Sequence, residues 1–374
     1  MKRILLGLIL PLFLLTGCWD QQLIKDSRIV YAAAFDKGEN GKVRGSAIIR
    51  GFVAGGESGG GTPRNEFVSA DGRTIRNIRM NIDRKLSGNF TAAKNRLFLY
   101  SEELGQSGLY PLLDIFYREP SSSLNSRIAI TIGDAEDYLQ LMRKGNTLIA
   151  EYLEELITSA EQNTIVPKID IQSICPLFFD PGKDPVIPYL QLNEENEEVK
   201  IRGLALFQDD KMTGTLNSKE STLLLILMNK TNKVTRLVRK IHEDKEHDLE
   251  NFVTVNVGKS KSKMKVITDK TGSVEVSFDI NLKISVVEYP SDNLTSSKEI
   301  KMLETRLSKT LEKDMNKMIK KMQAANSDVV GVGRELIAYH PETWKKLDWR
   351  KEYPNIPIRV NNVNVKITNT GIIN

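Results

Sequence analysis

The chain has 374 residues, enough for two or three domains, and its 40% hydrophobic and 27% charged content is that of an ordinary globular protein. This balance excludes a disordered chain and a polytopic membrane protein, since no apolar run reaches the ~20 residues that span a bilayer. The formal net charge of +5 is a weak bias, the mark of a mixed solvated surface and no argument for nucleic-acid binding.

Met1-Lys2-Arg3 is a short basic start, and Ile4 to Leu15 is apolar apart from Gly7 and Pro11. The stretch has the length of a secretory h-region, and Pro11 argues against a buried core helix because it removes a backbone donor. It ends Leu15-Thr16-Gly17-Cys18, which resembles the lipobox of bacterial lipoproteins. In such proteins a diacylglycerol is attached to the cysteine thiol, and cleavage before the cysteine frees an amine for N-acylation. Residues 1–17 are then a signal peptide cut between Gly17 and Cys18, and the lipid on Cys18 is the one covalent group expected; no other cofactor and no metal is indicated. Two acyl chains meet the two-signal requirement for stable anchoring. Loss of the leader removes Lys2 and Arg3 and lowers the net charge from +5 to +3. Cys175 is then the single remaining thiol, so no intramolecular disulfide is available and the fold must rest on its core. No basic residue adjoins Cys175, which reads as a buried structural thiol and not a nucleophile.

Beyond the leader, Ile29 to Phe35 reads as a buried strand, and Gly38 to Gly41 as a turn into a second strand, Val43 to Val53. Gly55 to Pro63 is a flexible loop by composition. Thr74 to Leu86 reads as helix, with Ile75, Ile78, Ile82 and Leu86 along one face. Strands Leu97–Tyr100 and Ile128–Ile132 alternate with helices near Leu109–Tyr117, Asp134–Met142 and Ile149–Ala160. A first α/β domain, residues 18–198, is expected to end in the acidic stretch Glu194-Glu195-Asn196-Glu197-Glu198. The second, residues 199–374, reads as α+β. It opens with strand Ile201–Phe207 and a turn at Gln208 to Lys211, followed by a helix from near Ser218. Strands Phe252–Val257, Met264–Thr268 and Val274–Glu288 follow. Ser297–Ala325 is the longest helix, with Ile300, Leu303, Leu307, Leu311, Met315, Met318 and Met322 at spacings of three or four, and Ile356–Ile367 is a last strand that returns to the sheet. The whole is α+β, with mixed and antiparallel sheets flanked by helices and one long helix in the C-terminal region. Leu223 to Met228 reads as core in preference to a partner-docking segment.

Catalytic patterns fail on inspection. His242 and His247 are spaced i, i+5, whereas a zincin helix needs i, i+4 to set both imidazoles on one face, so the segment reads as solvated and charged. Gly56-Glu57-Ser58-Gly59-Gly60 matches a nucleophile-elbow pattern, but Gly59 to Pro63 cannot start the helix an elbow needs. Arg73, Arg76, Arg79 and Arg84 cluster around the Thr74 helix, where a solvated helix face is preferred over contact with anionic headgroups or an acidic partner.

Several stretches together resemble the Ger(x)C family, the lipoprotein C subunits of bacterial spore germinant receptors. They are Gly17-Cys18-Trp19-Asp20 with the run ending Asp36-Lys37, Gly203 to Phe207 with Asp210-Lys211 and Gly214-Thr215-Leu216, and Glu220. Near the end come Asp328, Gly331-Val332-Gly333, Pro341-Glu342-Thr343-Trp344 and Trp349. Many relatives carry Arg-Arg-Glu after the Trp-Asp, where this chain has Gln21-Gln22-Leu23. The resemblance implies a non-catalytic, lipid-anchored subunit at the outer face of the spore inner membrane, working with polytopic A and B subunits in nutrient-triggered germination. Trp19 and Asp20 would begin the tether. The glycines would serve turns and the two later tryptophans packing. Two other classes compete: a lipid-anchored solute-binding protein, disfavoured by the antiparallel second half, and a surface hydrolase, whose only handle is Ser58.

Overall fold

The computed structural model describes residues 27–53, 62–86, 89–119, 122–141, 148–193, 195, 197–269, 272–291 and 294–371. Gly17, Cys18, Trp19, Asp20 and the glycine-rich stretch with Ser58 lie outside the described residues. Strands β1 (Ser27–Lys37), β2 (Val43–Val53) and β3 (Thr62–Gly72) form an antiparallel meander. Helix α1 (Ile75–Asp83), β4 (Asn89–Thr91), β5 (Leu97–Ser101), α2 (Glu102–Ser107), α3 (Tyr110–Arg118), β6 (Arg127–Thr131), α4 (Ala135–Gln140), α5 (Ile149–Gln162) and α6 (Ile171–Phe178) follow. Then come β7 (Val186–Asn193), β8 (Glu198–Gln208), β9 (Lys211–Asn217), α7 (Ser218–Leu227), β10 (Arg236–Lys240), β11 (Phe252–Thr268) and β12 (Val274–Glu288). The chain closes with the long α8 (Ser297–Ala324), α9 (Val332–Tyr339), α10 (Pro341–Trp344), α11 (Trp349–Glu352) and β13 (Ile358–Asn369).

Two sheets organise these elements into an α+β fold. The first is nine-stranded in the order β3-β2-β1-β5-β6-β7-β8-β9, with β4 beside β1. Its centre, β1-β5-β6-β7, is parallel and its margins are antiparallel. The second has the order β10-β11-β12-β13, with β13 parallel to β12. Strand residues point alternately to opposite faces. In β5, Leu97 and Leu99 belong to the core shared with the second sheet, whereas Phe98 and Tyr100 belong to the core under α1, α3 and α6. Helix α7 lies between the sheets, and Leu223 to Leu227 are all buried, as an all-round apolar helix must be. That segment is core.

The observed elements depart from the expected ones in instructive places. Strands expected at Phe252–Val257 and Met264–Thr268 are one strand of 17 residues, because Lys259 to Lys265 keeps the period of two and stays paired with β12. Helix α7 is capped by Asn217, not Ser218: its side chain accepts from Glu220 N, and Glu220 reaches back to Asn217 N in a capping box. Strands β3, β4, β7, β9 and β10 and helices α2, α6, α9, α10 and α11 were not anticipated. A division of the chain at 198/199 runs through the first sheet, since β7 lies before it and β8 and β9 after it.

Candidate functional site

The motif residues of the C-terminal region meet loop 180–184 and the β8–β9 turn in one buried polar joint. Asp184 lies in the approach to β7 and is 1% exposed. Its carboxylate accepts from the amides of Asp328 (2.7 Å) and Asp209 (2.9 Å) and from both terminal nitrogens of Arg350, at 2.7 and 2.9 Å. This is the two-pronged guanidinium–carboxylate geometry, directional as well as charged. Arg350 also reaches Asp209. In return, the Asp184 amide donates to the Asp328 carbonyl at 3.0 Å.

Asp328 is fully buried and accepts from three consecutive amides, Gly331 (2.9 Å), Val332 (3.0 Å) and Gly333 (2.8 Å), the first turn of α9 and its cap. A carboxylate there complements the positive end of the helix. Burial pushes the Asp328 carboxyl up to about 7, with neighbouring Asp184 adding to the rise and the amide bonds opposing it. Gly331, at φ +81°, supplies the left-handed turn that starts α9. Gly333 packs backbone to backbone on Gly182, where a Cβ would come within 2.6 Å of the Gly182 Cα. Ser327 donates to the Phe207 carbonyl, and the Tyr353 hydroxyl donates to the Ser327 carbonyl at 3.0 Å. Trp349, 5% exposed, stacks obliquely between Trp344 and Tyr353 at ring separations of 5.5 and 5.4 Å. Pro341 opens α10 at a position that needs no amide donor.

The other motif positions carry the same kind of work. Gly203, at φ +143°, sits where a Cβ would overlap the Leu216 carbonyl, and Gly214 faces Ala325 at the end of α8. Glu220 adds an ion pair to Lys321 (2.6 Å), which ties α7 to α8. At the end of β1, Asp36 accepts from the amides of Ala135 and Glu136 and so caps α4; burial raises its carboxyl to about 6. The joint thus holds the first sheet to the C-terminal helices, and its buried carboxylates, Asp184 and Asp328, are occupied by donors.

The remaining candidates lie apart from it. His242 bonds Tyr289 (2.8 Å) and Arg306 (2.6 Å), and its partial burial together with Arg306 lowers its pKa. His340 bonds Thr268, far from His242 in the sheet register. Among the described residues no group of three or more His, Cys, Asp or Glu is placed to hold a metal ion, and no helix is long and apolar enough to cross a membrane. Arg76 and Arg79 both pair with Glu119, and Arg84 donates to Asn81, so three of the four arginines of the cluster are engaged within the fold. Cys175 is half-buried on α6. Sequence reading missed Asp184, Arg350 and Gly182. Asp180 to Asp184 has the composition of a turn, but nothing in it points to partners 144 and 166 positions away.

Comparison with known proteins gives this architecture its context. Residues 20–192 match the family described as spore germination protein N-terminal domain, and residues 202–371 match spore germination B3/GerAC like, C-terminal. Spore germination protein GerQC of Bacillus cereus is 27% identical over 100% of this chain and 99% of its own length. Spore germination protein KC of Bacillus subtilis (strain 168) is 26% identical over 98% of this chain and 95% of its own. The crystal structure of the GerBC protein superposes with a TM-score of 0.58 over 90% of this chain and 97% of that one, at 17% identity, a likeness of fold. The chain belongs to the Ger(x)C family of spore germination proteins.

Proposed function

We propose that this protein is a non-catalytic, lipid-anchored subunit of a nutrient germinant receptor, held at the outer face of the spore inner membrane by acyl chains on Cys18 and assembled there with polytopic A and B subunits. Its N-terminal and C-terminal germination domains divide near 198/199, across a sheet that both contribute to. The observation that carries the reading is the end-to-end match to spore germination proteins, which runs from residue 20 to residue 371. The polar joint supports it: the motif residues Asp328, Gly331, Gly333 and Trp349 are engaged in holding elements together, as suits a protein that acts by presenting rigid surfaces.

Spores that carry a tagged copy, beside a Cys18→Ala variant, test the proposal. The expected result is that the variant leaves the inner-membrane fraction, no longer co-purifies with the two polytopic subunits, and silences one nutrient response. Normal germination with every nutrient in spores lacking the protein would sink the receptor reading. Germination supported by the untethered variant would sink the anchor and leave assembly.

A further inference from the structure

The outward face of the second sheet is basic, and the strand period lays the charge out. In β11, Lys259, Lys261, Lys263 and Lys265 alternate with Ser260, Ser262 and Met264, so all four ammonium groups leave the same, exposed face. Register places Lys259 beside Lys283 of β12, and Lys283 beside Lys366 of β13. Three exposed lysines therefore stand abreast on three strands that lie about 4.8 Å apart. The next row, Lys261, Asn281 and Asn364, is polar, and only in the row after it does a carboxylate appear, Asp279 beside Lys263. None of these six lysines has an ion pair or side-chain hydrogen bond among the described residues. Some lysines elsewhere are paired, as Lys37 is with Glu103, Lys240 with Glu243 and Lys321 with Glu220, so what sets this face apart is the row of like charges and not the lack of partners alone. Like charges directly opposite in a sheet are destabilising, so the row weakens the fold that carries it.

We propose that this face lies against an anionic lipid surface. The proposal rests in part on the reading of Cys18 as a lipid anchor. Three features favour lipid over an acidic protein. The unpaired cations are all lysine, a hydrated point charge suited to a diffuse field, whereas the arginines of the same face are engaged within it, Arg359 by Glu275 and Arg236 by Asn256. The ladder carries no aromatic side chain, so it lacks the anchors that centre a protein interface. A run of contacts also links the strand that follows the start of the described chain to the ladder. Ala32, Leu97 and Arg127 lie abreast in the first sheet, and Arg127 pairs with Glu161. The Glu161 carbonyl accepts from Asn232, and the Thr235 carbonyl accepts from the amide of Val257, two residues before Lys259. Cys18 precedes Ser27 by nine residues, a tether of at most about 30 Å. A short tether leaves this end of the protein at the bilayer surface.

The test uses the full chain with Cys18→Ser, so that no lipid contributes, and reads the ratio of its partition into phosphatidylcholine–phosphatidylglycerol vesicles to that into phosphatidylcholine alone. Each lysine near an anionic surface is worth about fivefold, at ~1 kcal/mol. Adding Lys259→Gln, Lys261→Gln, Lys283→Gln and Lys366→Gln together should lower the ratio on the order of several hundredfold. The same charge removed from α8, by Lys301→Gln, Lys309→Gln, Lys313→Gln and Lys320→Gln, should lower it less than about tenfold. A thermal melt shows that both quadruple variants are folded. Equal losses in the two variants would overturn the proposal in favour of net charge alone. So would a ratio near one for the parent chain, or capture by polyglutamate without vesicle binding, which would assign the face to an acidic protein. Failure of the anchor reading shows separately, as absence of palmitate labelling at Cys18 in the unmodified chain.

Discussion

In the first sheet a strand such as β5 reads Leu97-Phe98-Leu99-Tyr100, apolar at every position, because α5 covers one face and α3 the other. In the second sheet β12 reads Val276, Phe278, Ile280, Leu282 and Ile284 inward, with Asp279, Asn281 and Lys283 outward, because only one face is covered. The parallel centre of the first sheet and the mainly antiparallel second sheet follow the general rule that parallel strands are buried on both sides and antiparallel ones can face water. The difference shows where the molecule has freedom to change. Strand β5, buried at every position, has no place for a charge, whereas the second sheet offers a whole face on which charge can be chosen for a purpose other than stability.

The sharpest way to break the comparison is to put one lysine into each sheet. Leu99→Lys buries an unpaired ammonium where the native side chain is fully buried, and the expected outcome is loss of a cooperative thermal transition, since several of the ~5–15 kcal/mol of a typical domain are forfeited. Asn281→Lys, on the open face, should change stability by no more than about 0.5 kcal/mol. Between these extremes lies the joint that ties the first sheet to the C-terminal helices. Asp184→Ala takes from Arg350 its buried, two-pronged partner, leaving only Asp209, and removes the acceptor of two amides, which should cost about 3–5 kcal/mol in urea denaturation. Combining it with Arg350→Ala should cost less than the sum of the two, because the stranded cation is then gone.

Protonation sharpens the picture further. The folded chain holds the Asp36 and Asp328 carboxyls at about 6 and about 7, above the 3.8 of a free aspartate. Between these ranges the folded state binds more protons than the unfolded chain, so these groups favour the fold at pH 4 and that contribution is lost as pH rises through 6 to 7. The urea midpoint should therefore fall between pH 5 and pH 8, and Asp328→Asn should flatten the fall while leaving the part due to Asp36. The smallest effect belongs to the open face. Lys283→Gln removes the middle cation of the row Lys259, Lys283, Lys366 and should raise stability by a few tenths of a kcal/mol at low salt, with the gain vanishing in high salt.

What could be read from the residues divides along the same line. Ile29–Phe35, Leu97–Tyr100 and Ile128–Ile132 announce themselves because a strand covered on both faces is an unbroken apolar run. The long α8 was legible from its stripe of Leu303, Leu307, Leu311 and Met315. Strand β11 misled because its polar half has no apolar residue to mark the period; lysine alternating with serine looks like a loop until the partner strand is known. Strand β10 is five residues with two buried, too short to signal. The joint could not be read at all. Asp328, Gly331 and Gly333 stood out by resemblance, but Asp184 and Arg350 are ordinary charged residues whose meaning comes from meeting across the fold.

Strand β13 has a consequence for how the chain is made. Val360, Val363 and Val365 fill the gap beneath α8, Asn316 of that helix exchanges two hydrogen bonds with Val360, and the strand covers the ladder of β12 along its length. It is also the last described strand to leave the ribosome. Until it arrives, β12 presents an open edge of the kind that recruits other chains, and the underside of α8 is bare. A premature stop just after Pro357 is therefore expected to behave as a null allele, yielding aggregated or degraded product and no partly active subunit.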